Sequence, residues 1–186
     1  MMQKLWQEKL KLNYSKSVFD IVQFGSSVIK GENPRDLDIA VIFHKIPLKE
    51  QLEEAQKIKK QLQNLSEIPI HVSSFDLYSL FESSNFAKEN ILFYGKSLIS
   101  KDYFAKKFGF SPRIQIFYSL RDLKKKDKIR FNYMLNGRKG EYGLLRKYKG
   151  KLLCPGLIEI FPEHREIFVK SIKKITNSFK IINILS

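Results

Sequence analysis

The most restrictive feature of the sequence is a pair of apolar segments separated by a short polar stretch. Val18–Phe24 and Leu37–Phe43 are rich in β-branched and aromatic side chains, a composition typical of strands. Gly25-Ser26-Ser27 interrupts the first segment, and Lys30–Pro34 has the composition of a loop. The sequence therefore predicts a strand, a Gly-Ser turn, a loop and a second strand.

Two aspartates, Asp36 and Asp38, stand at the entrance to the second segment with one apolar residue between them. Because side chains alternate along a strand, both carboxylates are expected on one face. Neighbouring carboxylates repel each other, and a hard divalent cation such as Mg²⁺ both relieves this repulsion and brings phosphates with it. Gly25 and Ser26 offer close backbone approach and a hydroxyl to phosphate oxygens. The layout suits a metal–triphosphate complex; alternatively, Asp36 caps the loop and Asp38 is solvated at a strand edge.

The stretch from Val18 to Phe43 resembles the signature of the DNA polymerase beta-type nucleotidyltransferase superfamily, whose small members are called minimal nucleotidyltransferases. The resemblance covers about residues 18–100 and implies a small α/β (α+β) fold with a mixed sheet. It further implies Mg²⁺ or Mn²⁺ as cofactor and transfer of a nucleoside monophosphate from an NTP such as ATP to a hydroxyl. In that interpretation Asp36 and Asp38 are the catalytic, metal-binding residues, and the nucleotide is held by Gly25, Ser26, Ser27 and Lys30.

The sequence departs from that family at the third carboxylate, which the family takes from the next strand. In the predicted strand Ile68–Ser74, Ile70 and Val72 are expected to face the core, and His71 occupies the position of the acid. An imidazole can bind a metal, although it suits Mg²⁺ less well than a carboxylate does. His71 is therefore either a metal ligand or a polar surface residue, and Asp76 is better explained as a helix cap.

The remaining pattern predicts an α/β (α+β) chain with two domains, 1–105 and 106–186, the second a basic region of helices and short strands. Helices are predicted at the N-terminus up to Asn13 and over residues 48–64, 77–81, 112–122, 124–136 and 162–174. Lys151–Ile160 is predicted to form two short strands folded at Pro155-Gly156, and Phe179–Leu185 a final strand.

The charge is concentrated in the second half of the chain. The net charge is +15, and residues 101–186 contribute +14 of it, with 21 basic and 7 acidic side chains. Such one-sided charge indicates a surface for a polyanion, of which nucleic acid is the commonest. Aromatic residues interleaved with the cations favour RNA or single strands. The predicted nucleic-acid-binding residues are Lys128, Arg130, Arg138, Lys139, Arg146, Lys147, Lys149 and Lys151.

The sequence argues against a membrane-spanning protein and against one stabilised by disulfides or by zinc bound to cysteines. No apolar stretch approaches the roughly 18 residues of a membrane span. The single cysteine excludes an internal disulfide and a zinc site made of cysteines. We therefore expect a cytoplasmic protein without a membrane partner, and the sequence leaves its oligomeric state open.

The first hypothesis for function is a metal-dependent nucleotidyltransferase whose acceptor is RNA, for example a tRNA-like molecule. The second is a catalytically weakened member of the fold that acts as a nucleic-acid-binding module, which His71 in place of an acid favours. The third is a protein-modifying enzyme of the antitoxin type, for which the net +14 of the second half requires an acidic partner.

Overall fold

The chain forms two sheets of four strands each, flanked by helices. The structure, a computed structural model, describes residues 5–82, 84–138 and 140–186. These residues fall into two compact units, the first made of Glu32–Phe110 and the residues up to Val28, the second of Ile29–Gly31 and Ser111–Ser186. The predicted α+β class is confirmed. Within the described ranges, no helix has the length and apolarity that crossing a membrane requires.

The first unit is built on a mixed sheet. Strands β1 (Val18–Phe24) and β2 (Leu37–Phe43) pair antiparallel, with the bounds predicted from the sequence. Helix α1 (Leu48–Gln63) connects β2 to the parallel strand β3 (Ile70–Asp76). Strand β4 (Lys96–Ser97) pairs with the free edge of β1, which gives the order β3-β2-β1-β4.

Alternation along β2 sorts its side chains between two cores. Leu37, Ile39 and Val41 pack with Ile21 and with α1, while Ala40 and Ile42 belong to a second core on the other face. Asp38 has the same parity as Ala40, so its side chain lies on the face opposite α1.

Two short helices cover this second face. Helix α2 (Leu77–Phe81) is capped by Asp76, whose carboxylate accepts a hydrogen bond of 2.7 Å from the backbone N–H of Ser79. The cap predicted at Asp76 is therefore confirmed. Helix α3 (Lys88–Tyr94) leads into β4, and Leu80 of α2 and Ile91 of α3 are completely buried.

The second unit has an antiparallel sheet of order β6-β7-β5-β8. Its strands are β5 (Pro112–Tyr118), β6 (Lys151–Cys154), β7 (Leu157–Ile160) and β8 (Phe179–Leu185). Its helices are α4 (Lys125–Asn136), α5 (Leu144–Lys147) and α6 (Arg165–Lys173). The predicted hairpin at Pro155-Gly156 and the predicted final strand are confirmed.

Two predicted helices are wrong. Residues 112–118 form β5, because Ile114 and Ile116 alternate with polar neighbours and are both buried in the sheet. Near the N-terminus, the described residues contain only a 3₁₀ turn, Leu5–Gln7; beyond it Leu10 and Leu12 pack against the first core without regular structure.

A buried ionic cluster joins β1 to the end of the first unit. The Asp20 side chain is inaccessible to solvent, accepts a hydrogen bond of 2.7 Å from the Ser97 hydroxyl, and lies 3.1 Å from Lys107 Nζ. Burial raises the pKa of Asp20 above its ordinary value of 3.8, although Ser97 and Lys107 act in the opposite direction. The folded state therefore binds the Asp20 proton more tightly than the unfolded chain does.

This pKa shift predicts how stability depends on pH. A carboxyl group with a raised pKa contributes stability below its unfolded pKa, and this contribution is lost as pH rises through the folded pKa. Relative to the wild type, we expect Asp20→Asn to gain stability between about pH 4 and pH 7. The attraction of Lys107, 3.1 Å from Asp20, is already contained in the net rise of the Asp20 pKa, so it does not alter the sign of this change. Urea unfolding of both proteins across the range measures the difference.

Asp102→Asn provides a control, because the pKa of Asp102 is shifted in the opposite direction to that of Asp20. Burial raises the Asp102 pKa, but hydrogen bonds from Lys106 and from the Tyr103 N–H outweigh it, and the net pKa is lowered. This variant should lose stability relative to the wild type as pH rises through the lowered folded pKa to the unfolded value of about 4, so its urea series starts below pH 4. Equal pH profiles for wild type and Asp20→Asn would show that Asp20 is not perturbed by burial.

Candidate active site

The Gly-Ser turn follows β1 directly and forms a single 3₁₀ turn, Gly25–Val28. Ser26 is exposed, whereas Ser27 is completely buried. The Ser27 hydroxyl donates to the carbonyl oxygen of Phe24 and accepts from Nε2 of Gln23, both at 3.0 Å. Of the two serines, Ser26 is thus the one that presents its hydroxyl to solvent, while Ser27 stabilises the turn.

Asp36 and Asp38 enter β2 on the same side of the strand. Asp36 directly precedes β2, and its side chain is 41% exposed. Asp38 is the second residue of the strand and is half-buried. Because they are two residues apart, both carboxylates lie on one face of the strand, as the sequence predicts. This is the face opposite α1.

The Gly-Ser turn and the second aspartate are in direct contact. Phe24 is the register partner of Asp38, so the next residue, Gly25, lies beside the Asp38 side chain. A Cβ added to Gly25 would collide with Oδ2 of Asp38 and lie 3.2 Å from its Cγ. Gly25 also has φ of +72°, a conformation that residues with a side chain rarely adopt. Any residue other than glycine at position 25 would therefore displace the Asp38 carboxylate.

The two carboxylates form a site of concentrated negative charge. Burial, followed by the charge of Asp36, raises the pKa of Asp38 above 3.8, and the nearby His71 partly opposes this rise. A group with a raised pKa beside a second carboxylate is stabilised by any cation that binds there.

The parallel pairing of β3 brings His71 to the same site. His71 is the register partner of Asp38, and its Nε2 lies 3.5 Å from Oδ2 of Asp36. The imidazole is 66% exposed, so it is accessible to a ligand. Ser73, two residues further along β3, is also exposed, while Ile70 is buried as the sequence predicts.

This donor set fits a divalent cation that brings its other ligands with it. Among the described residues, no three His, Cys, Asp or Glu side chains are arranged as a complete metal site. Mg²⁺ is usually held by one or two carboxylates together with substrate phosphates, rather than by a cage made entirely of protein. Two carboxylates beside an exposed hydroxyl and a tight Gly turn match that pattern, and the imidazole is a further donor that suits Mn²⁺ better than Mg²⁺.

The other predicted nucleotide ligand, Lys30, is placed differently. Ile29–Gly31 is grouped with the second unit, where the backbone N–H of Lys30 donates to the carbonyl oxygen of Glu163 at 2.8 Å. The structure thus assembles Gly25, Asp36, Asp38 and His71 within the first unit, and Lys30 is grouped with the second.

The predicted nucleic-acid-binding cations lie on α4, on α5 and in the segments that follow these helices. Phe131 of α4 is buried in the core, as predicted. Lys139 lies outside the described residues. The remaining predicted cations are all exposed: Lys128, Arg130, Arg138, Arg146, Lys147, Lys149 and Lys151.

Sequence reasoning missed the partners that shape both regions. Gln23 supports the Gly-Ser turn through Ser27, and nothing in its residue type indicated this role. Between α4 and α5, Asn136 and Glu141 line a pocket together with Arg138 and Arg146. The glycines at 137, 140 and 143 were a signal for a structured turn, because such spacing is typical of tight chain reversals.

No protein-family model matches the chain, and neither a curated protein nor a solved structure has significant similarity to it.

Proposed function

We propose that the first unit is a metal-dependent nucleotidyltransferase that transfers a nucleoside monophosphate from an NTP to a hydroxyl of RNA. The observation that carries the proposal is the close packing of Gly25 against Asp38, with Asp36 and His71 beside them. A cluster of this kind is costly unless it binds a cation, because it places two carboxylates together and partly buries one of them.

The residues have separate tasks in this reaction. Gly25 and Ser26 bind triphosphate oxygens, and Asp36 and Asp38 hold Mg²⁺ or Mn²⁺, with His71 as a further donor. A cation held there would offset the charge of the triphosphate and of the leaving pyrophosphate. The acceptor oxygen forms a bond to the α-phosphorus, and the bond from that phosphorus to the bridging oxygen of the β-phosphate breaks. Pyrophosphate leaves with that oxygen, and the hydroxyl proton passes to a carboxylate or to water.

The charge of the second unit supports RNA as the acceptor. Its cations are exposed on and after α4 and α5, and exposed tyrosines accompany them. Cations neutralise phosphates, and aromatic rings stack on unpaired bases, which RNA offers more often than duplex DNA does.

A label-transfer assay tests the proposal. The protein and its Asp36→Asn/Asp38→Asn double variant are each incubated with α-labelled NTPs, Mg²⁺ or Mn²⁺, total RNA and total protein. We expect label on RNA with the wild type and none with the double variant. Label on a polypeptide would replace RNA by a protein acceptor, and equal labelling by both proteins would refute the assignment of the aspartates.

A second candidate is a nucleic-acid-binding module without turnover. The observation that favours it is His71, an imidazole where the resembled family has a third carboxylate, at 3.5 Å from Asp36. In this case the wild type transfers no label but binds RNA, and binding is unchanged in the double Asn variant. His71→Asp then supplies the third carboxylate, and label transfer by this variant alone would support the module.

A further inference from the structure

A pocket of about 730 Å³ lies in the second unit, between the end of α4 and the start of α5. Its size is within the range of about 300–1,000 Å³ that is usual for small-ligand sites. The pocket is lined by Tyr133, Asn136, Arg138, Glu141, Tyr142 and Arg146, with two glycines between them. Its lining is thus aromatic and charged rather than apolar.

Each tyrosine of the pocket is accompanied by a guanidinium group. Arg146 lies 4.2 Å from the ring centroid of Tyr142, and Arg138 lies 5.4 Å from that of Tyr133. Both rings remain accessible, since Tyr142 is 63% and Tyr133 44% exposed. An exposed ring offers a stacking surface to a planar group, and the adjacent guanidinium offers paired donors to a phosphate.

The pocket also contains one acidic residue, Glu141. A carboxylate repels phosphate, so its presence argues against a site for phosphate alone. The carboxylate of Glu141 can instead accept hydrogen bonds from amino groups such as those of adenine and cytosine. The three kinds of group match three parts of a nucleotide. The tyrosine rings fit the face of the base, the guanidinium groups fit the phosphate, and the carboxylate fits the amino group at the edge of the base.

Contacts constrain two of the described residues beside the pocket, Gly137 and Glu141. Gly137 has φ of +88°, and a Cβ at this position would collide with the carbonyl oxygen of Glu141. The N–H of Glu141 in turn donates to the carbonyl oxygen of Arg138 at 2.8 Å. Residues that are already constrained lose less conformational entropy when a ligand binds.

We infer that this pocket binds one unpaired nucleobase of single-stranded RNA, stacked on Tyr142, with the adjoining phosphate on Arg138 and Arg146. The inference rests on the proposed RNA acceptor and deepens it by stating which form of RNA the second unit recognises. A paired base is excluded, because both of its faces are covered by its neighbours in the helix.

Binding to a single-stranded oligoribonucleotide and to its abasic counterpart of equal length tests the inference. We expect the full-length protein to bind the base-bearing strand about 5- to 100-fold more tightly, as is typical for the stacking of one base. Tyr142→Ala should abolish this difference, while Tyr142→Phe should retain it. Tyr78→Ala is the matched control, because Tyr78 is 81% exposed but lies on α2 in the first unit, and it should change nothing.

Two further measurements separate the possible failures. Arg146→Gln should reduce the slope of log affinity against log salt by about 0.7, the value for one single-strand phosphate. Poly-glutamate should compete poorly; displacement as efficient as that by RNA would indicate an acidic polypeptide and overturn the inference. Equal affinity for the two strands would overturn the base pocket but leave label transfer to RNA intact. Failure to bind either strand would overturn both the pocket and the RNA acceptor.

Discussion

Asp38→Asn should lower nucleotide transfer by about a thousand-fold, the upper end of what loss of one preorganised electrostatic group costs an enzyme. The fold should tolerate the change, because Asn has nearly the same shape and carries no charge to bury. Since burial and Asp36 already raise the pKa of Asp38, removing its charge relieves repulsion. We therefore expect an unfolding free energy equal to or above that of the wild type, measured by urea titration beside the label-transfer rate.

Asp102→Asn is the control for this experiment. Asp102 is 44% exposed, close to the 41% of Asp36, and belongs to the same unit, where it pairs with Lys106. Its replacement should leave the transfer rate within about two-fold of the wild type, since a surface ion pair contributes at most about 1 kcal/mol. A similar loss of transfer in Asp102→Asn and Asp38→Asn would indicate a general effect of charge rather than a metal ligand.

Gly25→Ala should lower transfer by about a hundred-fold, although residue 25 has no functional group. The new Cβ would collide with Asp38 Oδ2, so the carboxylate must move away. A displacement of about 1 Å in a catalytic group is enough for a loss of this size. The positive φ of residue 25 should cost a further 1–2 kcal/mol or so of stability. Label transfer and urea unfolding measure the two effects.

Gly109→Ala is the control that separates the effect of backbone strain from the effect of displacing the Asp38 carboxylate. Gly109 has φ of +82°, close to that of Gly25, but nothing lies within 4 Å of where its Cβ would be. Both variants should lose similar stability from backbone strain, and only Gly25→Ala should lose transfer. Equal activity of the two variants would show that the position of Asp38 does not matter to the reaction.

The parts of the fold that could be predicted are those in which local composition and burial agree. β1 and β2 are rich in β-branched and aromatic residues and are largely buried on both faces, so their bounds follow from the sequence. The helix predicted over 112–122 is wrong because Ile114 and Ile116, two residues apart, point to the same face of a strand and are both buried there.

The candidate site was only partly predictable for a different reason. The placement of Asp36 and Asp38 on one face is a property of a single strand, and sequence spacing is sufficient for it. The contact of Gly25 with Asp38 and the approach of His71 to Asp36 depend on the registers of β1 and β3 against β2. Register is set by how the whole sheet packs, and residue types within one segment do not determine it.

The central position of β5 in the second sheet also has a consequence for synthesis on the ribosome. β5 is hydrogen-bonded on one side to β7 and on the other to β8, and Pro112 of β5 pairs with Leu185 of β8. All strands of the first sheet are available once Ser97 has been made, whereas β5 keeps an open edge until residues 179–185 emerge. An open strand edge pairs readily with other chains. The second unit is therefore the one whose nascent form most needs protection by a chaperone.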